Sequence, residues 1–404
     1  MKIYEEGSEE LKNKLKLIRN GCVEGPQKQS QLAEAHIAEI KELLVQYTSP
    51  QSGFYDLTVL NLLTQSLSNL VTQHPSNQKL VWNEFGDQFP RLIAYPDMQI
   101  VQTSLILIRN LSSTANVRLL SRRPVLIALL DLFIKLERTH EDDDSVFHLA
   151  FVIVSSIIEN EDVDTVWNIL DTFEDEPLTP PQAAFIKCLD AYIHQSGPGN
   201  LKALFLIPFL MRTLDFCRTS MLSSTSAQGE PDPRLGSVVQ TSLVAAETFT
   251  VFQSAFEETR NHPLLASARS SQLPELAVGA LEASLEFLPS IKPFSKESEH
   301  DDPLKQFANF KPALMRLISV VAGSDADVKE RIGSVGGLRA CMNCAHVDMR
   351  ESSQRESALF TLSVLLKNHT SNQQRVRDLG DTPVGVLDAQ GVLQPFEGKN
   401  TRQI

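Results

Sequence analysis

Glycine, cysteine and turn dipeptides are scarce in this chain. It carries 18 glycines in 404 residues, below the usual share of about 7%, and its one Asn-Gly pair is Asn20-Gly21. Sheets joined by tight hairpins need such positions, so an all-β plan is excluded. Asn20-Gly21 itself follows a charged helical pattern and reads as a helix C-terminus. The five cysteines, at 22, 188, 217, 341 and 344, are odd in number and scattered. They exclude a disulfide scaffold and fit a reducing compartment. Long apolar runs are missing too. Val146 to Ile158 is too short to cross a bilayer, and Leu201 to Cys217 carries Lys202, Arg212 and Asp215. The opening Met-Lys-Ile-Tyr-Glu-Glu has no apolar run of the signal-peptide kind. A soluble, cytoplasmic protein with no membrane insertion is expected. Positive charge is in deficit: 37 Lys and Arg stand against 50 Asp and Glu, a net charge of −13. A phosphate backbone would repel that balance, so no nucleic acid is expected as a partner.

What is present is helical periodicity. Val59, Leu60, Leu62, Leu63, Leu67 and Leu70 recur at the spacing of one helix face, and Ala358, Leu359, Leu362, Leu365 and Leu366 do the same. Comparable faces are drawn over 97–112, 124–138, 146–159, 180–194, 200–219, 238–255, 273–288 and 311–321. Ser353 and Glu356 have the spacing of a capping box ahead of the C-terminal face. Two polar stretches, 223–237 (SSTSAQGEPDPRLGS) and 295–303 (SKESEHDDP), read as loop insertions within one architecture.

The chain repeats itself. Residues 67–81 (LSNLVTQHPSNQKLV) and 362–376 (LSVLLKNHTSNQQRV) share Leu, Ser, Leu, His, Ser, Asn, Gln and Val in register. A weaker copy places Leu111 on Leu70, 41 residues apart, and Val321 aligns with Leu365, 44 residues apart. Those offsets fall in the roughly 40–47 residue period of armadillo and HEAT units. The expected fold is therefore all-α, an armadillo/HEAT-like right-handed α-solenoid forming a single array over 1–404. In such an array each unit covers its apolar face by stacking on a neighbour.

The segment from Phe310 to Gly380 resembles the C-terminal domain of the ataxin-10 family, an armadillo-type helical family. The resemblance rests on FKPALMRLI at 310–318, DADVKERI at 325–332, VGGL at 335–338 and RESALFTLSVLLKNHTSNQQRV at 355–376. The family pattern there, R-E-x-A followed by L-L-x-N-x-x-x-N-Q and an apolar residue, falls on Arg355, Glu356, Ala358, Leu365, Leu366, Asn368, Asn372, Gln373 and Val376. The chain departs from it at Glu351-Ser352, where Asn-Pro is usual, and at Val328-Lys329, where Asn-Gln is expected. The resemblance marks 308–395 as an ataxin-10-like C-terminal domain and implies roles in cytokinesis and cell survival.

Residues that could carry chemistry have plainer explanations. Cys341 and Cys344, with His346 nearby, lack the second ligand pair that zinc requires. On a helix they share one face, where thiols act as small buried hydrophobes. Gly333-Ser-Val-Gly336-Gly337 lacks the strand and the Lys-Ser/Thr of a phosphate loop and reads as a turn between helices. Glu141 to Asp144 precedes an apolar helix, where acidic residues suit the helix dipole. The nine histidines are dispersed, and no acid, base and nucleophile assemble. No catalytic residue, metal or cofactor is expected.

The Asn-Gln pairs at 77–78 and 372–373 lie just past helix ends and are expected to hydrogen-bond exposed backbone groups there. Asn69 and Asn110 are the candidates for partner contact, because an Asn near that point of the last helix faces the groove in peptide-binding armadillo proteins. The matching C-terminal positions are Val320 and Val364, so a full ladder is absent. The function expected is a non-catalytic protein-protein interaction scaffold, binding other proteins on its concave face and favouring basic segments. The alternatives are an armadillo transport-type receptor for basic peptides, and an enzyme or metal protein using Cys341 and Cys344.

Overall fold

The computed structural model describes residues 2–49, 56–112, 117–139, 144–171, 176–227, 230–255, 262–291, 304–380, 386–387 and 393–394. The chain divides into two compact units, one of residues 1–174 and 179–192, the other of 175–178 and 193–404.

The first unit holds α1 (Lys2–Gly21), α2 (Pro26–Thr48), α3 (Leu57–Val71), α4 (Pro75–Phe85), α5 (Phe89–Ile93), α6 (Met98–Leu111), α7 (Val117–Leu120), α8 (Arg123–Thr139), α9 (Asp144–Asn160), α10 (Val163–Leu170) and α11 (Pro180–Ser196) as far as Tyr192. Helix starts follow local chemistry. Asp56 caps α3 by accepting from the Thr58 and Val59 amides, and Asp97 caps α6 through Gln99 and Ile100. Pro26 and Pro75 occupy the first turns of α2 and α4, where a missing N–H costs nothing. Packing follows rows: α1 on α3, α3 on α6 and α6 on α9, with α2 against α4 and α5 against α8 alongside.

The second unit holds α12 (Leu206–Ala227), α13 (Leu235–Ala255), α14 (Pro263–Ser270), α15 (Leu273–Phe287), α16 (Phe310–Ala322), α17 (Ala326–Ser334), α18 (Gly337–Asn343), α19 (Gln354–Leu366) and α20 (Thr370–Gly380). Here three rows run side by side: α13, α16 and α19; α12, α15 and α18; α17 and α20. A step of three helices along the chain therefore returns to the same row, the plan of a three-helix repeat. Val386–Leu387 and Leu393–Gln394 pair as a short antiparallel ladder after α20. The fold is all-α, with helices stacked as a solenoid stacks them. Phenylalanine fills the layers: Phe85, Phe89 and Phe185 are fully buried in the first unit, and Phe209, Phe249, Phe252, Phe307 and Phe310 in the second. Helix α13 is long and apolar enough to cross a membrane by composition. Its apolar residues pack inward, with Val238, Val239, Phe249 and Phe252 all at most 1% exposed.

Three local expectations need correction. The loop expected over 223–237 is shorter, since α12 continues to Ala227 and α13 begins at Leu235. The serines of that stretch are accommodated inside the helix: Ser223, Ser224 and Ser226 each donate to the carbonyl four residues back at 2.8 Å. The helix expected from 200 starts at Leu206, after Ala203 takes a positive φ of 49°. The Ser353 capping box is not formed, although α19 does start there. Ser353 has φ −89° and ψ 0°, so its hydroxyl is not aimed at the amides an extended cap residue would reach. Gly336 is left-handed at φ 94° in the turn between α17 and α18, whereas Gly333 lies inside α17. The stretches 295–303 and 141–143 lie outside the described residues.

Candidate interaction surface

The repeated His-x-x-Asn-Gln sequence forms the same device twice. At the start of α4, His74 Nδ1 accepts from the Asn77 amide at 3.2 Å. At the start of α20, His369 Nδ1 accepts from the Asn372 amide at 3.2 Å. An imidazole accepting at Nδ1 carries its proton on Nε2 when neutral. There His74 faces Pro26 O at 3.1 Å and His369 faces Ala326 O at 3.1 Å, in each case the first residue of the matching helix in an earlier layer. The two histidines were visible in the sequence as shared letters, but only the fold gives them this capping role.

The Asn and Gln that follow are spent on helix-end carbonyls. Asn77 Nδ2 donates to Leu70 O at 2.9 Å, and Asn372 Nδ2 donates to Leu365 O at 3.2 Å and Lys329 O at 3.0 Å. Gln78 Nε2 donates to Val71 O and, across to the next layer, to Asn110 O at 2.9 Å. Gln373 Nε2 donates to Leu366 O at 2.9 Å. Leu70, Val71, Leu365 and Leu366 belong to the last turns of α3 and α19, where carbonyls lack intrahelical partners. Asn368, at φ 56°, and its counterpart Gln73, at φ 54°, both take the left-handed conformation that lets the chain turn between the two helices.

Asn69 and Asn110 sit in these same joints, half-buried. Asn69 Nδ2 donates to Arg19 O at 3.0 Å, and Asn110 Nδ2 donates to Ser68 Oγ at 2.9 Å and Thr72 Oγ1 at 3.1 Å. Their side-chain donors tie neighbouring helices together. Arg355 and Glu356 are exposed in the first turn of α19, while Ala358 and Leu365 on its other side are 0% exposed. The sequence pattern thus mixes surface positions with core ones.

Cys341 and Cys344 are both fully buried, and burial pushes each thiol up to about 12. Thiols held that far from ionisation are poor nucleophiles and poor metal ligands. His346 turns away to Ser290 Oγ at 2.6 Å. Among the described residues no three His, Cys, Asp or Glu side chains are grouped to hold a metal.

Beside Cys344 lies a buried charge cluster that sequence reading missed. Lys311 Nζ, 0% exposed, donates to Leu288 O at 2.8 Å and lies 3.6 Å from Asp348 Oδ2 and 3.9 Å from Glu351 Oε2. Asp348 Oδ1 accepts from the amides of Ile291 and Arg350. Desolvation raises the Glu351 carboxyl to about 7 against the pull of Lys311. The cluster pins the connection after α18 to residues 288–291: the Met349 amide donates to Ile291 O at 3.0 Å, and Arg350 Nη1 donates to Pro289 O at 2.7 Å.

Among the described residues of the second unit, the most exposed large apolar side chains lie on α19 and just before it. Leu359 is 50% and Phe360 59% exposed on α19, with Val347 and Met349 at 49% and 54% just before it. This layer lies in the segment that known sequences recognise. Residues 310–395 match the spinocerebellar ataxia type 10 protein domain. The ataxin-10 domain therefore spans α16 to α20 and both short strands, and the resemblance drawn from the sequence is shown over this segment. Residues 1–309 lie outside the match. No curated protein matches the chain. Among solved structures, the crystal structure of an engineered protein from the Northeast Structural Genomics Consortium aligns over 82% of this chain and 98% of its own, at 12% identity and a TM-score of 0.26. A likeness that weak carries no argument.

Proposed function

We propose that this protein is a non-catalytic scaffold of the ataxin-10 type, which holds other proteins on the open faces of its stacked helices. The observation that carries the reading is the match of residues 310–395 to the ataxin-10 domain. The site chemistry is in keeping with it. His74 and His369 and the Asn-Gln pairs beside them are occupied in helix joints, and Cys341 and Cys344 are fully buried. The role in cytokinesis and cell survival is what the family likeness implies, and the cytoplasmic location rests on the scattered cysteines of the sequence.

Partners with basic segments are favoured by the net charge of −13, because long-range attraction steers opposite charge to the surface. That attraction weakens as salt shortens the screening length. The experiment is proximity labelling in dividing cells. The intact protein is expected to label a set of division proteins that a labelling enzyme alone does not, and a chain lacking 308–404 should lose much of that set. A labelled set identical to that of the free enzyme overturns the reading. Washing captured partners at rising salt tests the charge argument, and retention independent of salt counts against it.

A further inference from the structure

Four oxygens in the connection from α18 to α19 and the first turn of α19 are buried with nothing to accept from. They are Asp348 Oδ2, both carboxyl oxygens of Glu351 and Gln354 Oε1, and none has a hydrogen-bond donor among the described residues. The side chains of Asp348 and Glu351 are 0% exposed, and Gln354 is as deeply buried. Gln354 is oriented by its other end, since Nε2 donates to Cys344 O at 3.3 Å. The Lys311 main-chain amide, in the first turn of α16, favours the charged Glu351 carboxyl but makes no hydrogen bond to either of its oxygens.

The ammonium that faces these oxygens also has donors to spare. Lys311 Nζ carries three N–H groups, and one of them meets Leu288 O at 2.8 Å. Asp348 Oδ2 at 3.6 Å and Glu351 Oε2 at 3.9 Å lie beyond the roughly 3.2 Å reach of an N–H···O bond. Unused donors and unused acceptors thus face one another across gaps too long to close directly. Buried polar groups are nearly always satisfied, by protein or by ordered water. Water can accept from an ammonium and donate to carboxylates at the same time. A metal cation would take the oxygens and be repelled by Lys311; an anion would take the ammonium and be repelled by the carboxylates.

We infer that Lys311, Asp348 and Glu351 form an internal binding site for ordered water, placed between the start of α16 and the connection from α18 to α19. At its centre one molecule accepts from Lys311 Nζ and donates to Asp348 Oδ2 and Glu351 Oε2. Glu351 Oε1 and Gln354 Oε1 are further acceptors at its rim. The bridge completes the attachment of this connection to residues 288–291, to which Lys311 is tied through Leu288 O and Asp348 through the Ile291 amide. It serves Glu351 in either form, donating to the carboxylate or accepting from the acid. Cys344 is the neighbouring thiol, close enough to feel the charges of Lys311, Glu351 and Asp348.

Radiolytic footprinting of the full chain in solution tests the site, because X-rays split bound water in place and the hydroxyl radicals oxidise the side chains beside it. Cys344 is the reporter, and Cys217, in the same unit and equally 0% exposed, is the control. Cys344 is expected to oxidise severalfold faster than Cys217. The double variant Lys311→Met, Glu351→Met, which removes the donor and one acceptor together, should bring the two rates level with circular dichroism unchanged. A crystal structure of the unaltered chain that resolves ordered solvent gives a second readout and needs no variant to fold. A density peak within hydrogen-bond distance of Lys311 Nζ, Asp348 Oδ2 and Glu351 Oε2 is expected there. Three results overturn the proposal: equal oxidation of Cys344 and Cys217 in the unaltered chain; side chains closed directly on one another with no peak between them; or a peak that scatters anomalously after potassium is exchanged for rubidium, which makes the occupant a cation.

Discussion

Burial changes the acid chemistry of Glu351. Its carboxyl sits at about 7 in the folded protein against an ordinary 4.5, so between those values the folded state holds a proton that the unfolded state has released. The stability this contributes is complete below about pH 4.5 and is lost as pH rises through 7. At 1.36 kcal/mol per unit the full swing is roughly 3 kcal/mol. Melting temperature should therefore fall between pH 5 and 7.5 by more in the intact protein than in Glu351→Gln, whose amide does not titrate. Equal slopes in the two proteins would show that the carboxyl is not held in this state. Removing the cation should be costly at neutral pH and above. Lys311→Met leaves Asp348 and Glu351 buried opposite an apolar group, an expected loss of about 3–5 kcal/mol in urea unfolding. None of this could be read from the sequence, where Lys311 is separated from Asp348 and Glu351 by most of a repeat. The cysteines were legible, because Cys341 and Cys344 share one helix face by local spacing alone.

Among elements, the joints between helices are set by a few amides. Asn372 is 0% exposed and holds Lys329 O and Leu365 O at once. Replacing it with Ala leaves buried acceptors unsatisfied, and a loss of about 1–3 kcal/mol is expected. Gln373→Ala, at an exposed position, should change stability by less than about 0.5 kcal/mol. Gly333→Ala tests the same joint from the other side, since an added Cβ would lie 2.0 Å from Asn372 Oδ1. It should destabilise in the intact protein and much less in the Asn372→Ala background, which urea titration of the four proteins would measure.

The helices themselves were legible because 3.6-residue periodicity is strong in this chain. Asp56 and Asp97, and the prolines that open α2 and α4, mark helix starts that the periodicity alone left open. The ends at Ala227 and Leu206 were not legible. A serine-rich stretch can stay helical when its hydroxyls bond back to the helix's own carbonyls, and an apolar run can begin in a turn. The Asn-Gln pairs stood out in the sequence as a repeat, and their amides reach helix-end carbonyls, while His74 and His369, which complete the device, were seen only as matching letters.

At the scale of the whole molecule, the stacking explains why glycine is rare and phenylalanine common. Helices joined by short turns need few left-handed residues, and interlayer space is filled by large apolar side chains. Each fully buried leucine or phenylalanine contributes about 1.5–3 kcal/mol, so removing a layer exposes several such groups together. A chain ending near residue 308 loses the helices that cover α13 and α15. It should aggregate or melt without cooperativity; a soluble truncation with a sharp transition would show that the second unit does not depend on its last layers.

The joint chemistry also restricts how such a chain can change in length. Because the fourth residues of α2, α4 and α17 donate to carbonyls near the ends of α3, α6 and α19, a deletion of a few residues between one such donor and its acceptor pulls that pair out of register. Removal of a complete layer brings an equivalent donor to an equivalent carbonyl. Viable length variants of this protein should therefore differ by whole steps of about 41 to 44 residues, or fall in the connections between helices, where no such pairing is counted.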